Sequence, residues 1–376
     1  MKKEFSIRDY ALVISLAFVW AFFYFQDSQF IGARNLTNLA IEFSMISILA
    51  LGMLLVILTG EIDLSVGSGV GLAGGITCVL ISWAGFPAPV AMLISILVAA
   101  FLWFGMGKLI TSQNVPSFII TLGGMLIFKG LFWEVIQNQT VPVTKGGENL
   151  VSILTTFAFP GWQSLAIFAV VAALLYYAMI QKRKRETEFG FEVEEFERSF
   201  LKVFVIIQAL LLMTLIMNKN KGVPLSFLLL GVIALVVHTL TKHTAFGRHL
   251  YAIGGNKEAA EISGINVNKN VTMAFVILGV IVAITGFLQV AYLGNSTNTI
   301  GNLMELDAIA ACVIGGVSLS GGKGSVGGVL IGSLLMVSLL NGMTLLAVPD
   351  AKKFIARGIV LVLAVWMDVY LSKGRK

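Results

Sequence analysis

Charge is what this 376-residue chain lacks most. Asp, Glu, Lys and Arg make up 12% of it, against about 25% in a typical soluble domain. None of the four occurs from Leu64 to Gly107, a gap long enough for two membrane spans of about 20 residues each. With 57% hydrophobic residues, the composition excludes a soluble globular protein and predicts a polytopic membrane protein. Histidine and cysteine are nearly as scarce. His238, His243 and His249 form no H-E-x-x-H pair, and no Cys/His cluster has zinc spacing. Cys78 and Cys312 both fall in apolar runs, so a disulfide framework is not expected and two small buried hydrophobes are. No G-x-S-x-G or other paired nucleophile and base stands out, so no catalytic residue, metal or cofactor is expected.

The net charge of +6 raises nucleic acid or anionic lipid as partners, until the positions of the charges are traced. Apolar runs centre near Leu16, Ala50, Ile76, Leu97, Met125, Val171, Leu210, Ile233, Ala283, Ala310, Met336 and Val365. The first, Tyr10 to Gln26, lacks a small-residue cleavage site and reads as a retained helix. With a cytoplasmic N-terminus, 18 basic residues gather at inner ends and loops, including Lys108, Lys182 to Arg185, Lys242 and Lys269. Only 7 remain outside, among them Arg34, Lys145, Lys353 and Arg357, while Lys129 falls inside a span. Both termini are therefore expected in the cytoplasm. The basicity is topological and gives no reason to expect nucleic acid. The predicted fold is all-α: one unit over 1–376, with about 10–12 transmembrane helices including broken or re-entrant segments.

Two stretches look irregular within the apolar sequence. NVPSFIITLGG (114–124) starts a span with proline and interrupts it with a glycine pair, and GGVSLSGGKGSVGG (315–328) is dense in glycine at membrane depth. Irregular backbone survives in the hydrocarbon layer only when buried in protein or lining a cavity, and broken helices recur in transporters. DLSVGSGVGLAGG (63–75) and SLSGGKGSVGGVLIG (318–332) share a Leu-Ser then Gly/Ser pattern, a weak sign of an internal repeat. Glu61, Asp63, Ser65, Asn114, Ser117 and Asp307 are candidates for a translocation path or a structural turn. Glu61 and Asp63 are expected in a turn where the two carboxylates stay hydrated or cap the next helix, with Asp63 the N-cap candidate. The mixed-charge segment 181–198 reads as a solvated topology anchor.

LSGGK at 319–323 differs by one residue from an ATPase signature, LSGGQ. A phosphate-cradling G-x-x-x-x-G-K-[ST] loop fails, however, because Gly322 follows Gly316 to Gly321 where lysine is required. The polar stretch 242–270 is more informative. Its EAAEISG (258–264) reads E-A-A-x-x-x-G, a short helix from Glu258 ended by Gly264. Ala259 and Ala260 would admit a close partner, and Glu258 would offer it a carboxylate. Gly255, Glu258, Ala259, Ala260 and Gly264 are the coupling candidates.

LTGEIDLSVGS (58–68), YAIGGNKEAAEISGINV (251–267) and LDAIAACVIGGVSLSGGKGSVGGVLIG (306–332) together resemble the permease subunits of monosaccharide ABC importers, the ribose/xylose class. The extra section 182–224 makes the chain most similar to the D-xylose permeases. The downstream I-x-L-P of type I permeases is absent. The resemblance implies a bacterial cytoplasmic-membrane assembly of two permease copies, a separate ABC ATPase docking on the coupling loop 242–270, and an extracytoplasmic sugar-binding protein. Beyond these, membrane lipid is the only further partner expected. It implies transport by alternating access, with ATP hydrolysis on another chain. The alternative from the residues alone is a proton- or sodium-coupled secondary sugar transporter using Glu42, Glu61, Asp63, Glu305 or Asp307, all near predicted span ends. Glu42, the most interior, would then have a basic partner as its other explanation.

Overall fold

The computed structural model describes residues 7–373 except 114 and 192. Helices dominate: α1 Ile7–Gln26, α2 Ala33–Ile57, α3 Val66–Ser82, α4 Ala88–Gln113, α5 Ser117–Val135, α6 Ile153–Thr156, α7 Gly161–Glu188 and α8 Phe196–Met217. They continue with α9 Leu225–His243, α10 Ala245–Gly255, α11 Lys257–Ile262, α12 Val267–Leu293, α13 Met304–Ile314, α14 Val326–Leu345 and α15 Asp350–Lys373. Every one of the twelve apolar centres named above lies in one of these helices. Eight of the described helices are long and apolar enough to cross a membrane. α13 is not. Its 11 residues span about 16 Å, half of a hydrocarbon layer of about 30 Å.

Two helices are buried almost all round and form the middle of the bundle. α2 and α12 have 83% and 72% of their most apolar windows buried, and they pack on each other and on α3, α4 and α14. In contrast, α7 and α8, which carry most of the extra section 182–224, have only 11% and 17% buried. They pair at the periphery. Their link at 189–195 bears solvated ion pairs such as Lys202–Glu194, worth little energetically.

Trp103 of α4 is the central knob. It is 1% exposed and seats between Gly69 of α3 and Gly279 of α12, where no side chain could stand. Its ring packs 5.1 Å from that of Phe128 on α5. Four helices thus meet on one indole.

The bundle's two ends differ. At one, two short antiparallel ladders tie the connections together: β1 Val141–Pro142 with β4 Asn295–Ser296, and β2 Ala158–Phe159 with β3 Val223–Pro224. Ser82, at the close of α3, donates its hydroxyl to Pro142 O (2.5 Å) there. The opposite end carries α10 and α11. Two expectations change. α5 runs unbroken through Gly123 and Gly124, because Pro116 sits outside its first turn and Gly124 is filled against by Met106 of α4. The glycine-dense segment is irregular, as the connection from α13 to α14, but it lies at the α11 end against α10 rather than at mid-depth.

Overpacking at the Trp103 seat is the test of this core. A Cβ on Gly279 would stand 2.8 Å from Trp103 Cβ and 2.9 Å from Ala99 O. Gly279→Ala is expected to destabilise by about 1–3 kcal/mol, seen as a lower thermal midpoint in detergent. Gly130→Ala, which meets open space, should stay within about 0.5 kcal/mol of the parent.

Candidate functional site

At the α11 end the chain breaks into two short capped helices. Thr244 accepts from Gly247 N–H (3.2 Å) to start α10, and Asn256 accepts from Ala259 N–H (2.9 Å) to start α11. α11 closes with Gly264 N–H to Glu261 O (2.9 Å) and Ile265 N–H to Ala260 O (3.0 Å). That paired closure requires a left-handed residue, and Gly264 has φ +83°. Glu258 and Ala259 face outward, whereas Ala260 is 4% exposed and packs into the chain's own core. The outward face also carries Ile262, 88% exposed. Sequence reasoning passed over it, although a lone isoleucine in a polar loop was a usable signal.

Directly before α11, Gly254 is the tight point. An added Cβ would stand 2.9 Å from Gly321 Cα and closer still to Leu58 O and Gly322 N. Gly322 N–H donates to Leu58 O (3.0 Å), and Tyr251 Oη–H donates to Gly324 O (2.9 Å). The end of α2, the end of α10 and the α13–α14 connection therefore touch backbone to backbone. Gly255, the sequence candidate, meets open space.

Beyond Leu58 the chain enters the turn that holds Glu61, Asp63 and Ser65. Asp63 is not hydrated. It is 0% exposed, and its Oδ1 accepts from Ser65 N–H (2.7 Å) and Ser65 Oγ–H (2.6 Å) while Oδ2 accepts from Trp103 Nε1–H (2.7 Å). Nor is it the N-cap. α3 starts at Val66 with Ser65 in that position, and Asp63 makes an Asx turn just ahead of it. Glu61 is half-buried. Ser117 joins the group, accepting from Ile62 N–H (3.2 Å), and Thr121 donates to Ile62 O (3.2 Å). Asn114 lies outside the described residues. The two Leu-Ser segments become the approaches to α3 and α14, each opening Ser-Val-Gly, with Ser325 accepting from Gly328 N–H (3.1 Å).

Asp307 stands apart from this turn, in the first turn of α13. It is 2% exposed and lies 3.0 Å from Arg357 Nε of α15. Among the described residues Glu42 makes no salt bridge, although Lys353 is within electrostatic reach. Its carboxylate accepts from Tyr292 Oη–H (3.0 Å) and Asn341 Nδ2–H (3.1 Å), and Asn341 Oδ1 accepts from Asn35 Nδ2–H (2.9 Å). That chain of bonds staples α2, α12 and α14. Cys78 and Cys312 are free and buried. Among the described residues no group of three His, Cys, Asp or Glu is placed to hold a metal.

Two substitutions check this geometry. Asp63→Ala leaves the Trp103 and Ser65 donors without their acceptor, and each orphan costs about 1–3 kcal/mol. A loss of about 3 kcal/mol or more is expected in detergent unfolding, against less than about 0.5 kcal/mol for Glu61→Ala. Gly254→Ala should lower the thermal midpoint by several degrees, while Gly255→Ala should leave it unchanged.

Residues 35–365 match the family described as branched-chain amino acid transport system / permease component. The xylose transport system permease protein XylH of Haemophilus influenzae is 39% identical over 377 residues, covering 99% of this chain and 98% of its own. XylH of Escherichia coli K12 is 36% identical, covering 97% and 93%. The ribose import permease protein RbsC of Escherichia coli K12 is 30% identical over 340 residues, covering 90% and 87%. No solved structure matches the chain. A helical membrane bundle with a capped two-helix projection at one end, matched nearly end to end, belongs to that family of transport-system permease components, and its relatives here include xylose and ribose permease proteins.

Proposed function

We propose that the chain is the membrane-crossing subunit of an ATP-driven importer of D-xylose or a closely related pentose. The observation that carries the reading is the match to the xylose permeases over 97–99% of the chain, peripheral α7–α8 hairpin included. In this reading the α11 end is cytoplasmic, as the 18-to-7 partition of basic residues requires, and both termini lie on that side. A separate ATPase receives α11, with Ile262 as an apolar anchor and Glu258 as its charged neighbour. An exposed aliphatic side chain can anchor in an apolar pocket on a partner.

ATP-driven closure of two ATPases pulls α11, and the backbone junction at Gly254 passes that displacement to α2 and to the α13–α14 connection. Two permease copies then alternate between outward and inward openings. A sugar-binding protein delivers its cargo at the ladder end. No covalent step is required of the permease, which only has to present different surfaces in its two states. Carboxylate ion coupling has no comparable support, because Asp63 is fully bonded inside the bundle and Glu42 is held by Tyr292 and Asn341.

The decisive experiment reconstitutes the chain with its ATPase and binding protein in proteoliposomes. Xylose is expected to stimulate ATP hydrolysis and to accumulate inside only with ATP. Uptake that survives ATP depletion but collapses with a protonophore would overturn the reading. Ile262→Glu and Gly264→Ala should each weaken co-purification of the ATPase by about tenfold, about 1.4 kcal/mol, without changing the permease's own thermal midpoint by more than a few degrees. Unchanged co-purification in both would refute the assignment of α11.

A further inference from the structure

Most of α12 is covered by other helices, but one face of its first three turns is open. Lys269 and Met273 are exposed there, and Ile277 is half-buried. α4 packs along one flank of α12, with the Thr111 and Thr272 hydroxyls 3.2 Å apart. On the other flank α9 hardly touches it. Toward the ladder end α6 packs on both α9 and α12 and fills the gap, and toward the α11 end α10 packs on both. The space left between α9, α10 and α12 is a cleft of about 400 Å³, within the range of about 300–1,000 Å³ that small-molecule sites occupy.

The lining is zoned. Leu240, Phe246, Met273 and Ile277 form its apolar part, while Lys269 and His249 stand at the end nearest water. His249 Nδ1 lies 3.4 Å from Asn270 Oδ1, a contact that ties α10 to α12 across the cleft. Lys242 and Lys269 are the charges that bound the apolar runs of α9 and α12, so they mark where hydrocarbon meets water. Ile277 lies eight residues beyond Lys269, about 12 Å deeper. The cleft therefore runs from the polar boundary into the acyl-chain layer.

Formal charge around it has one sign. α9, α10 and α12 contain no Asp or Glu, whereas they carry Lys242, Arg248, Lys269 and all three histidines of the chain. Lys242 rests on the ring of Tyr251, 5.0 Å from its centroid. Among the described residues neither Arg248 nor Lys269 forms an ion pair. The acids that follow α10, Glu258 and Glu261, belong to the exposed side of α11. Unpaired cations above an apolar cleft match a molecule with a phosphate at one end and an acyl chain at the other.

We propose that this cleft holds an anionic phospholipid from the leaflet at the α11 end, its headgroup phosphate at Lys269 and His249 and one acyl chain along Met273 and Ile277. Basic pockets between membrane helices recognise anionic headgroups in this way. α10 leads directly into α11, so a lipid seated here braces the base of that helix, whatever sugar the subunit carries.

The test titrates the detergent-solubilised full chain with dioleoylphosphatidylglycerol or dioleoylphosphatidylcholine and counts bound lipid by native mass spectrometry. One phosphatidylglycerol per chain is expected to bind at least tenfold more tightly than phosphatidylcholine and to raise the thermal midpoint by a few degrees. Lys269→Glu is expected to weaken phosphatidylglycerol binding about tenfold while keeping the parent's midpoint in phosphatidylcholine, so that lost binding is read apart from a lost fold. Met273→Trp, which fills the cleft, should weaken both lipids. Lys108→Glu changes an exposed base at the same end of α4, outside the cleft, and should leave binding unchanged. Equal binding of the two lipids, or equal losses in Lys108→Glu and Lys269→Glu, overturns the proposal. So does oxidation that joins two Met273→Cys chains in membranes, which seats a second copy in the cleft. A Lys269→Glu chain that loses the ATPase yet keeps its phosphatidylglycerol overturns it as well. Xylose import is not a readout, so failure here leaves the importer reading untouched.

Discussion

The indole of Trp103 is the contact on which the rest of the bundle depends. Its flat face requires two helices without side chains at the seat, and Gly69 and Gly279 supply them. Its one polar atom requires an acceptor, and Asp63 supplies that. A buried carboxylate without donors would cost several kcal/mol, and the Asx turn at Ser65 completes its coordination. One side chain therefore sets the spacing of α3, α4 and α12 and also the path by which the chain leaves α2.

From that fixed centre two kinds of backbone irregularity radiate, and their positions differ in meaning. The glycine-dense connection between α13 and α14 lies at the α11 end, where it is pressed between Leu58 and Gly254. It behaves as a junction: three backbones meet with no side chains between them to cushion relative movement. The connection at 294–303 is the opposite case, an open stretch held against Gly67 and Gly71 of α3. The short helix α13, of 11 residues, connects the two.

Much of this was legible in the chain itself. Apolar runs located twelve of the fifteen described helices, and Gly264 marked the end of α11 through its need for a left-handed conformation. What escaped the sequence were properties set by partners distant along the chain. Asp63 reads as a hydrated turn residue until Trp103, 40 positions away, takes up its second oxygen. Gly254 and Gly255 are indistinguishable as letters, and only Gly321 and Gly322 decide which has no room. Ala260 looked like a contact for a partner, but it is buried against the chain's own core, and Ile262 is exposed instead. The glycine pair in α5 suggested a break because glycine is a poor helix former, yet Met106 packing against Gly124 outweighs a local penalty of about 1 kcal/mol.

The ladders at the other end carry a mechanical corollary. Val141 and Pro142 follow α5, while Asn295 and Ser296 follow α12, and their pairing yokes the departures of two helices that never adjoin in sequence. Ser82 adds α3 to the same yoke. Three helices thus lose their independent degrees of freedom at that rim. Any hinge in the subunit lies away from that rim, and α15, which no ladder holds, is tied instead to α13 through Arg357 and Asp307.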